Sequence, residues 1–260
     1  MTMTHHPNPD QIEAARDALL QARRSGVPAA AAGVALDDAA TAYAVQAAVA
    51  DALGWFADGA PRHWKSGGPS RDAVLTHAPL PPAGVWASPA DARGWPFGRR
   101  GIEAEIALRL GCVVDAARAE SLTPDRAAAL VDAMAVSIEV VDSRWAEGLG
   151  APALHKLADL QSHGALVIGA WSPFAPRDWA AQLCRVRIGA QPPVERRGSH
   201  AMADPLFGLP AWLRHATADG RVIPAGTVVT TGTWVGILDA AAGDRVEVDF
   251  PGIGQASVQL

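Results

Sequence analysis

The stretch Gly101-Ile102-Glu103-Ala104-Glu105-Ile106-Ala107-Leu108-Arg109-Leu110 carries the clearest local signal in this chain of 260 residues. Successive side chains on a strand point to opposite faces, so Ile102, Ala104, Ile106, Leu108 and Leu110 share one face and Glu103, Glu105, Ala107 and Arg109 the other. The period-two alternation predicts a strand with two carboxylates on one side, roughly 7 Å apart along it from the rise per residue. A second alternating stretch, Val136 to Val141, puts Ser137, Glu139 and Val141 on one face. Glu103, Glu105 and Glu139 can therefore converge. Like charges on a partly buried sheet repel and lose hydration, so the arrangement is tolerable mainly when a cation neutralises it. Oxygen-only ligands favour Mg²⁺, Mn²⁺ or Ca²⁺ over zinc, and three protein ligands leave positions open for substrate and water. The competing reading places Glu103 and Glu105 on a solvated face and pairs Glu139 with Arg144.

Working outward, Asp10 to Arg24 places Ile12, Ala15, Leu19 and Ala22 at helical spacing, with Asp10 as N-cap and Gly26 just past the end. Asp38 to Leu53 predicts a second, Ala-rich helix ending at Gly54. Residues 1–60 thus read as a helical lobe and 61–260 as a metal-binding, β-rich catalytic domain, an α+β fold. Prolines and glycines from Pro61 to Pro96 leave room for loops and short strands only. Thr123 to Met134 and Pro205 to Ala218 read as helices, as does Trp179 to Leu183. Ala165 to Ile168, Arg185 to Ile188 and Thr227 to Thr231 read as strands. Val246, Val248 and Phe250, then Ala256, Val258 and Leu260, alternate around a turn at Pro251 to Gly254, which predicts a closing hairpin.

Composition narrows the function. A net charge of -5 without a basic run gives no footprint for phosphate backbones or anionic membranes, so no nucleic acid and no membrane is expected as partner. Cys112 and Cys184 are too few and too far apart for a disulfide framework or a thiolate zinc site. The polar N-terminus has no signal-type apolar segment and no stretch has the apolar length of a membrane span, so a cytoplasmic protein is expected. His5 and His6, on that polar terminus, are given no role.

Lysine is scarce: the 22 basic residues include only Lys65 and Lys156. Lys65 lies in Trp64-Lys65-Ser66-Gly67-Gly68, which reads as a glycine-rich loop. Thr231-Gly232-Thr233, at a strand end, can bind a substrate carboxylate through amides and hydroxyls, although a plain tight turn uses the same residues.

Gly101 to Ala107, Ile-Glu-Val-Val-Asp-Ser-Arg at Ile138 to Arg144, Asp-Pro-Leu before an Ala-Trp-Leu helix at Asp204 to Leu213, Gly243-Asp244 and Gly252-Ile253-Gly254 recur together in one family. In their order and spacing the chain resembles the fumarylacetoacetate hydrolase superfamily, within it the branch of 2-oxopent-4-enoate hydratase and 4-oxalocrotonate decarboxylase. The resemblance implies a mixed β-roll or sandwich and a homo-oligomer. It implies Mg²⁺ or Mn²⁺ on Glu103, Glu105 and Glu139, and a small 2-oxo or 2-hydroxy-dienoic acid as substrate. Hydration of a 2-hydroxy-2,4-dienoate is the activity expected. The alternatives are decarboxylation of a 2-oxo-dienoate, carbon–carbon bond hydrolysis, and a silent homologue that binds metal or ligand without turnover.

The resemblance also implies roles for individual residues. Lys65 matches a lysine that faces the metal and handles protons. Leu157 to Gly164 resembles a pocket-lining segment in which Asp159, Ser162 and Gly164 match, so Asp159 and Ser162 are expected to be catalytic. Leu160 stands where an asparagine is common and His163 where a small residue is common. Gly84 to Ser88 resembles a segment ending in an aspartate, replaced here by Ser88. Ser88, Leu160 and His163 are thus expected to set substrate preference alongside Thr231, Gly232 and Thr233.

Overall fold

A computed structural model describes residues 7–260; His5 and His6 lie outside the described residues. The chain divides into two compact units. The smaller takes the residues up to Gly59 together with Pro96–Arg99 and Asp142–Gly164, and the larger takes Ala60–Trp95, Arg100–Val141 and Ala165–Leu260. The sequence pattern put a single boundary near residue 60; the smaller unit also draws in two later stretches, Asp142–Gly164 adding Trp145, Ala151, Leu157 and Ala158 to its core and Pro96–Arg99 joined to it by the Gly98 and Arg99 amides, which donate to the Asp142 carboxylate.

That core packs two helices, α1 (Pro9–Ser25) and α2 (Ala39–Ala52), around Leu19, Val45, Val49, Trp145 and Leu157. The N-cap of α1 is Asn8 rather than Asp10: the Asn8 side chain accepts from the amides of Asp10 and Gln11, and Pro9 occupies the first turn, where its missing N–H costs nothing. Asp38 caps α2 through the Thr41 amide, and Gly26, at φ 70, ends α1 in the left-handed conformation a side chain resists.

The larger unit is built from strands. In chain order these are β1 (His63–Gly67), β2 (Thr76–Pro79), β3 (Val85–Ala87), β4 (Ala90–Asp91), β5 (Gly101–Leu110), β6 (Val131–Val141) and β7 (His163–Ile168). After them come β8 (Ser172–Pro173), β9 (Leu183–Ile188), β10 (Val194–Arg197), β11 (Val228–Thr230), β12 (Leu238–Asp239), β13 (Arg245–Phe250) and β14 (Gly254–Gln259). One sheet runs β2-β1-β11-β5-β6-β7-β3, with β12 on β5 and β8 on β6; the other runs β10-β9-β13-β14-β4. The fold is α+β of the expected type. Gly169 marks a close approach of the two sheets, since a Cβ there would collide with the Gln255 carbonyl.

β5 forms as its alternation predicts, but both of its faces are buried: Ile102, Ile106 and Leu108 on one, Glu105 and Ala107 on the other. A solvated carboxylate face is thereby excluded for Glu105. Three helix predictions need correction. Thr123 to Met134 contains only a single helical turn, Pro124–Ala127, and a 3₁₀ turn to Leu130, because Val131 onward pairs with β5 along its whole length. Cooperative pairing of a long strand overrides the weak helical preference of Asp132 to Met134. Trp179 to Gln182 is a turn capped by Asp178, and Leu183 already belongs to β9. The helix expected over Pro205 to Ala218 is confined to Leu209–Ala216, with Pro210 in its first turn. No described helix is long and apolar enough to cross a membrane.

Candidate metal centre

Strand register decides the site. β5 and β6 are antiparallel with Glu103 opposite Glu139 and Glu105 opposite Ser137, so the three carboxylates occupy adjoining positions on one face. One oxygen from each lies within 4.8 Å of the others. Glu105 and Glu139 are buried, Glu103 partly so. Lys65 joins them from two strands away: β1 pairs in parallel with β11, Lys65 opposite Thr230, and Thr230 is in turn opposite Ala107 of β5. The Lys65 ammonium donates to Glu139 Oε1 at 2.5 Å. Two sequence expectations are corrected here. Lys65 sits in mid-strand, bonded to β2 and β11, not in a glycine-rich loop. Glu139 pairs with Lys65 rather than Arg144, whose guanidinium binds Asp159.

The electrostatics follow from three carboxylates and one ammonium out of water. Burial, then Glu139 and Glu105, raise the Glu103 carboxyl well above its ordinary value, against the pull of Lys65. Burial and Glu139 push Glu105 up to about 7, despite Lys65, the Thr230 hydroxyl and the Gly232 amide, all of which favour its anion. Burial alone would lower the Lys65 pKa, but Glu139, Glu103 and Glu105 together raise it. The cluster is short of positive charge, and its oxygen-only donor set fits a hard divalent cation.

Thr230 and Ser137 escaped the reading of the sequence. The Thr230 hydroxyl donates to Glu105 and lies 3.0 Å from the Ser137 hydroxyl, so both belong to the carboxylate layer. The available signal was the shared face of Ser137 and Glu139. Thr231-Gly232-Thr233 follows β11, yet its hydroxyls serve the protein: Thr231 Oγ1 donates to the Ile106 carbonyl at 2.8 Å, and Thr233 Oγ1 donates to the Gly236 carbonyl.

Ser88 is placed elsewhere in the larger unit, beyond β3 at the sheet edge, where its hydroxyl accepts from the Ser257 amide at 2.8 Å. It lines a cavity with His63, Trp86, Arg109 and Trp171, to which none of the three glutamates contributes.

Asp159, Leu160, Ser162 and His163 lie in the segment of the smaller unit and are all buried. Asp159 accepts from the Arg144 amide, from Arg144 Nε at 2.6 Å and from Arg23 Nη2 at 3.3 Å. Donors thus occupy both of its oxygens. Leu160, Gln161 and Ser162 all have positive φ, 51°, 56° and 58°. Each such non-glycine residue costs about 1–2 kcal/mol, and strain of this kind persists where the surroundings enforce it and gathers at functional segments. The Ser162 hydroxyl is buried with no hydrogen-bond partner among the described residues.

The description Fumarylacetoacetate (FAA) hydrolase C-terminal fits residues 61–260. The chain belongs to this family. Among curated proteins it is 31% identical over 144 residues to a 2-hydroxyhexa-2,4-dienoate hydratase of Comamonas testosteroni, covering 54% of this chain and 53% of that protein. It is 28% identical over 158 residues to a 4-oxalocrotonate decarboxylase of a Pseudomonas species, covering 60% and 59%. These matches thus span little more than half the length of either relative. The fold is shared with the 4-oxalocrotonate decarboxylase of Pseudomonas putida G7, solved with calcium and acetate, at TM-score 0.77 and 19% identity over 98% of this chain and 99% of that one. The same enzyme was also solved with magnesium and adipate.

Proposed function

We propose that this chain is a divalent-metal-dependent hydratase of 2-hydroxy-2,4-dienoates, with Glu103, Glu105 and Glu139 as the metal ligands. The observation that carries the proposal is the layer of three carboxylates within 4.8 Å of one another, with Lys65 paired to Glu139. Bound there, Mg²⁺ or Mn²⁺ supplies Lewis-acid polarisation of the substrate's 2-oxygen. Glu105 is held in place by Thr230, and Thr230 by Ser137, which fixes the ligand geometry before binding. Lys65 holds a proton at Nζ beside Glu139, where it can offset negative charge developing on the substrate and deliver that proton.

The named activities of the curated relatives support a small dienoate substrate and leave decarboxylation of a 2-oxo-dienoate as the second reading. Incubation of the Mn²⁺- or Mg²⁺-loaded protein with 2-hydroxypenta-2,4-dienoate and with 4-oxalocrotonate distinguishes the two. Loss of the dienoate absorbance with a 4-hydroxy-2-oxo acid as product supports the hydratase. Release of CO₂ from 4-oxalocrotonate supports the decarboxylase, and no turnover of either removes both.

A further inference from the structure

The face of β5 that carries the glutamates differs at its two ends. Beyond Glu105 it runs into Ala107, which packs with Ala135, Leu80, Leu166 and Val228 in an apolar cluster. In the other direction the next positions on that face are Glu103, which is only partly buried, and then Gly101. Gly101 stands opposite Val141 of β6, as Glu103 stands opposite Glu139. A Cβ on Gly101 would lie 2.7 Å from Ile237 Cγ2 and 3.2 Å from Val141 Cβ, so these two side chains close over the bare glycine on the carboxylate side of the sheet. The strand rise puts Gly101 roughly 7 Å from Glu103.

Ile237 is held there by its backbone neighbours. Directly after it, β12 pairs with β5, Leu238 opposite Ile102 and Asp239 opposite Gly101. Before it, the Trp234 amide donates to the Ala104 carbonyl at 2.9 Å. The short segment between these anchors is therefore tied at both ends to the strand of Glu103 and Glu105. Val141 is buried, yet Ile237 leaves 40% of its surface exposed. A lone exposed isoleucine is ordinary on a protein surface; this one is fixed beside a partly exposed carboxylate of the cation site.

We propose that Ile237 is a specificity-determining residue, an apolar wall for the far end of a 2-oxo or 2-hydroxy-dienoic acid whose carboxylate and 2-oxygen are held at the metal. The packed cluster at Ala107 blocks one direction along the strand, so the substrate chain extends past Glu103 toward Ile237. Contact with the wall removes apolar surface from water, worth about fourfold in affinity per methylene. A second carboxylate in that place would lose hydration without a partner on the isoleucine. The wall thus selects an apolar chain over one that ends in a carboxylate. The inference rests on Glu103, Glu105 and Glu139 being cation ligands.

The test uses saturated 2-oxo acids, which chelate a metal but lack the double bond that hydration requires, so binding is read without turnover. Mn²⁺ is first titrated into metal-free protein and its free concentration followed by electron paramagnetic resonance. Calorimetry on the Mn²⁺-loaded protein then gives Kd for pyruvate, 2-oxopentanoate and 2-oxoglutarate, in wild type and in Ile237→Asn. Wild type is expected to bind 2-oxopentanoate about tenfold more tightly than pyruvate, since two further carbons meet the wall and part of their surface stays in water. It should also bind 2-oxopentanoate more tightly than 2-oxoglutarate. In Ile237→Asn the preference over pyruvate should shrink about fourfold, with the Mn²⁺ and pyruvate Kd values within about twofold of wild type. An unchanged preference in the variant, an equal weakening of all three acids, or a wild type that favours 2-oxoglutarate overturns the role. Should the variant fail to fold, methyl spectra of Mg²⁺-loaded wild type decide: 2-oxopentanoate should shift the Ile237 signals and pyruvate should not, and signals unmoved by either overturn the role. A wild type that binds no Mn²⁺ overturns the cation reading and this role with it, whereas one that binds Mn²⁺ but shows no preference by chain length overturns only the role of Ile237.

Discussion

Two buried charge clusters, one in each unit, solve the same problem in opposite ways. In the smaller unit a single carboxylate, Asp159, faces two guanidiniums, those of Arg144 and Arg23, and a backbone amide. In the larger unit three carboxylates share one ammonium. The first has more donors than its acceptor needs and is complete within the protein. The second sets one ammonium among three carboxylates, and burial, followed by repulsion from neighbouring glutamates, raises the carboxyls of Glu103 and Glu105. Burying charge is tolerated only with compensation, so the sign of the imbalance tells a structural ion pair from a site built for an outside ion.

The comparison breaks most decisively at Glu139. If the proposed site is right, Glu139→Gln removes one ligand of three and should weaken Mn²⁺ binding by about 100-fold or more, read by titrating Mn²⁺ and following its free concentration by electron paramagnetic resonance. Unchanged affinity would show that the carboxylates do not act as a set. Lys65→Met comes next. It should lower kcat by about 100-fold, the low end for a lost acid–base group, while leaving the Mn²⁺ Kd at or below the wild-type value, since it removes a competing cation. An equal rise in Kd would make Lys65 a scaffold residue.

Asp159→Asn probes the completed cluster. It leaves two buried guanidiniums without their carboxylate and should cost about 3 kcal/mol of stability, measured by denaturant unfolding, with Mn²⁺ affinity of the folded variant retained. If stability holds and only turnover falls, Asp159 is catalytic after all and the contrast between the clusters fails.

The smallest effect is one of pH. Glu105 is raised from 4.5 to about 7 in the fold, so the folded protein holds a proton that the unfolded chain has released. The favourable contribution is fully present below about 4.5 and is lost as pH rises through about 7, so the metal-free thermal midpoint should fall across that window. Mn²⁺ affinity should rise over the same range, because a ligand must be deprotonated to bind. A shallower slope in Glu105→Gln than in wild type assigns that share of the effect to this residue.

Much of the site was legible in sequence because β-strand geometry is local. Alternation alone put Glu103 and Glu105 on one side of β5 and Ser137 and Glu139 on one side of β6. Lysine scarcity and family resemblance singled out Lys65, but the glycines after it suggested a loop, whereas pairing with two distant strands makes it a strand residue. The helix expected over Thr123 to Met134 failed for the same reason, since the partner that makes Val131 to Met134 extended is β5, which lies earlier in the chain.

What the sequence determined by itself is the α+β class, the period of the carboxylate strands and the placing of their carboxylates on one side of each strand, because these follow from side-chain type and spacing along one strand or helix. Only the tertiary structure decided that Glu103 stands opposite Glu139, that Lys65 rather than Arg144 takes Glu139, that Asp159 is taken by two arginines, and that the Thr230 hydroxyl stands behind Glu105. The physical reason is that each of these depends on register and pairing between segments far apart in the chain. A one-residue slip in register would turn every side chain of a strand to the other face without changing a letter of the sequence.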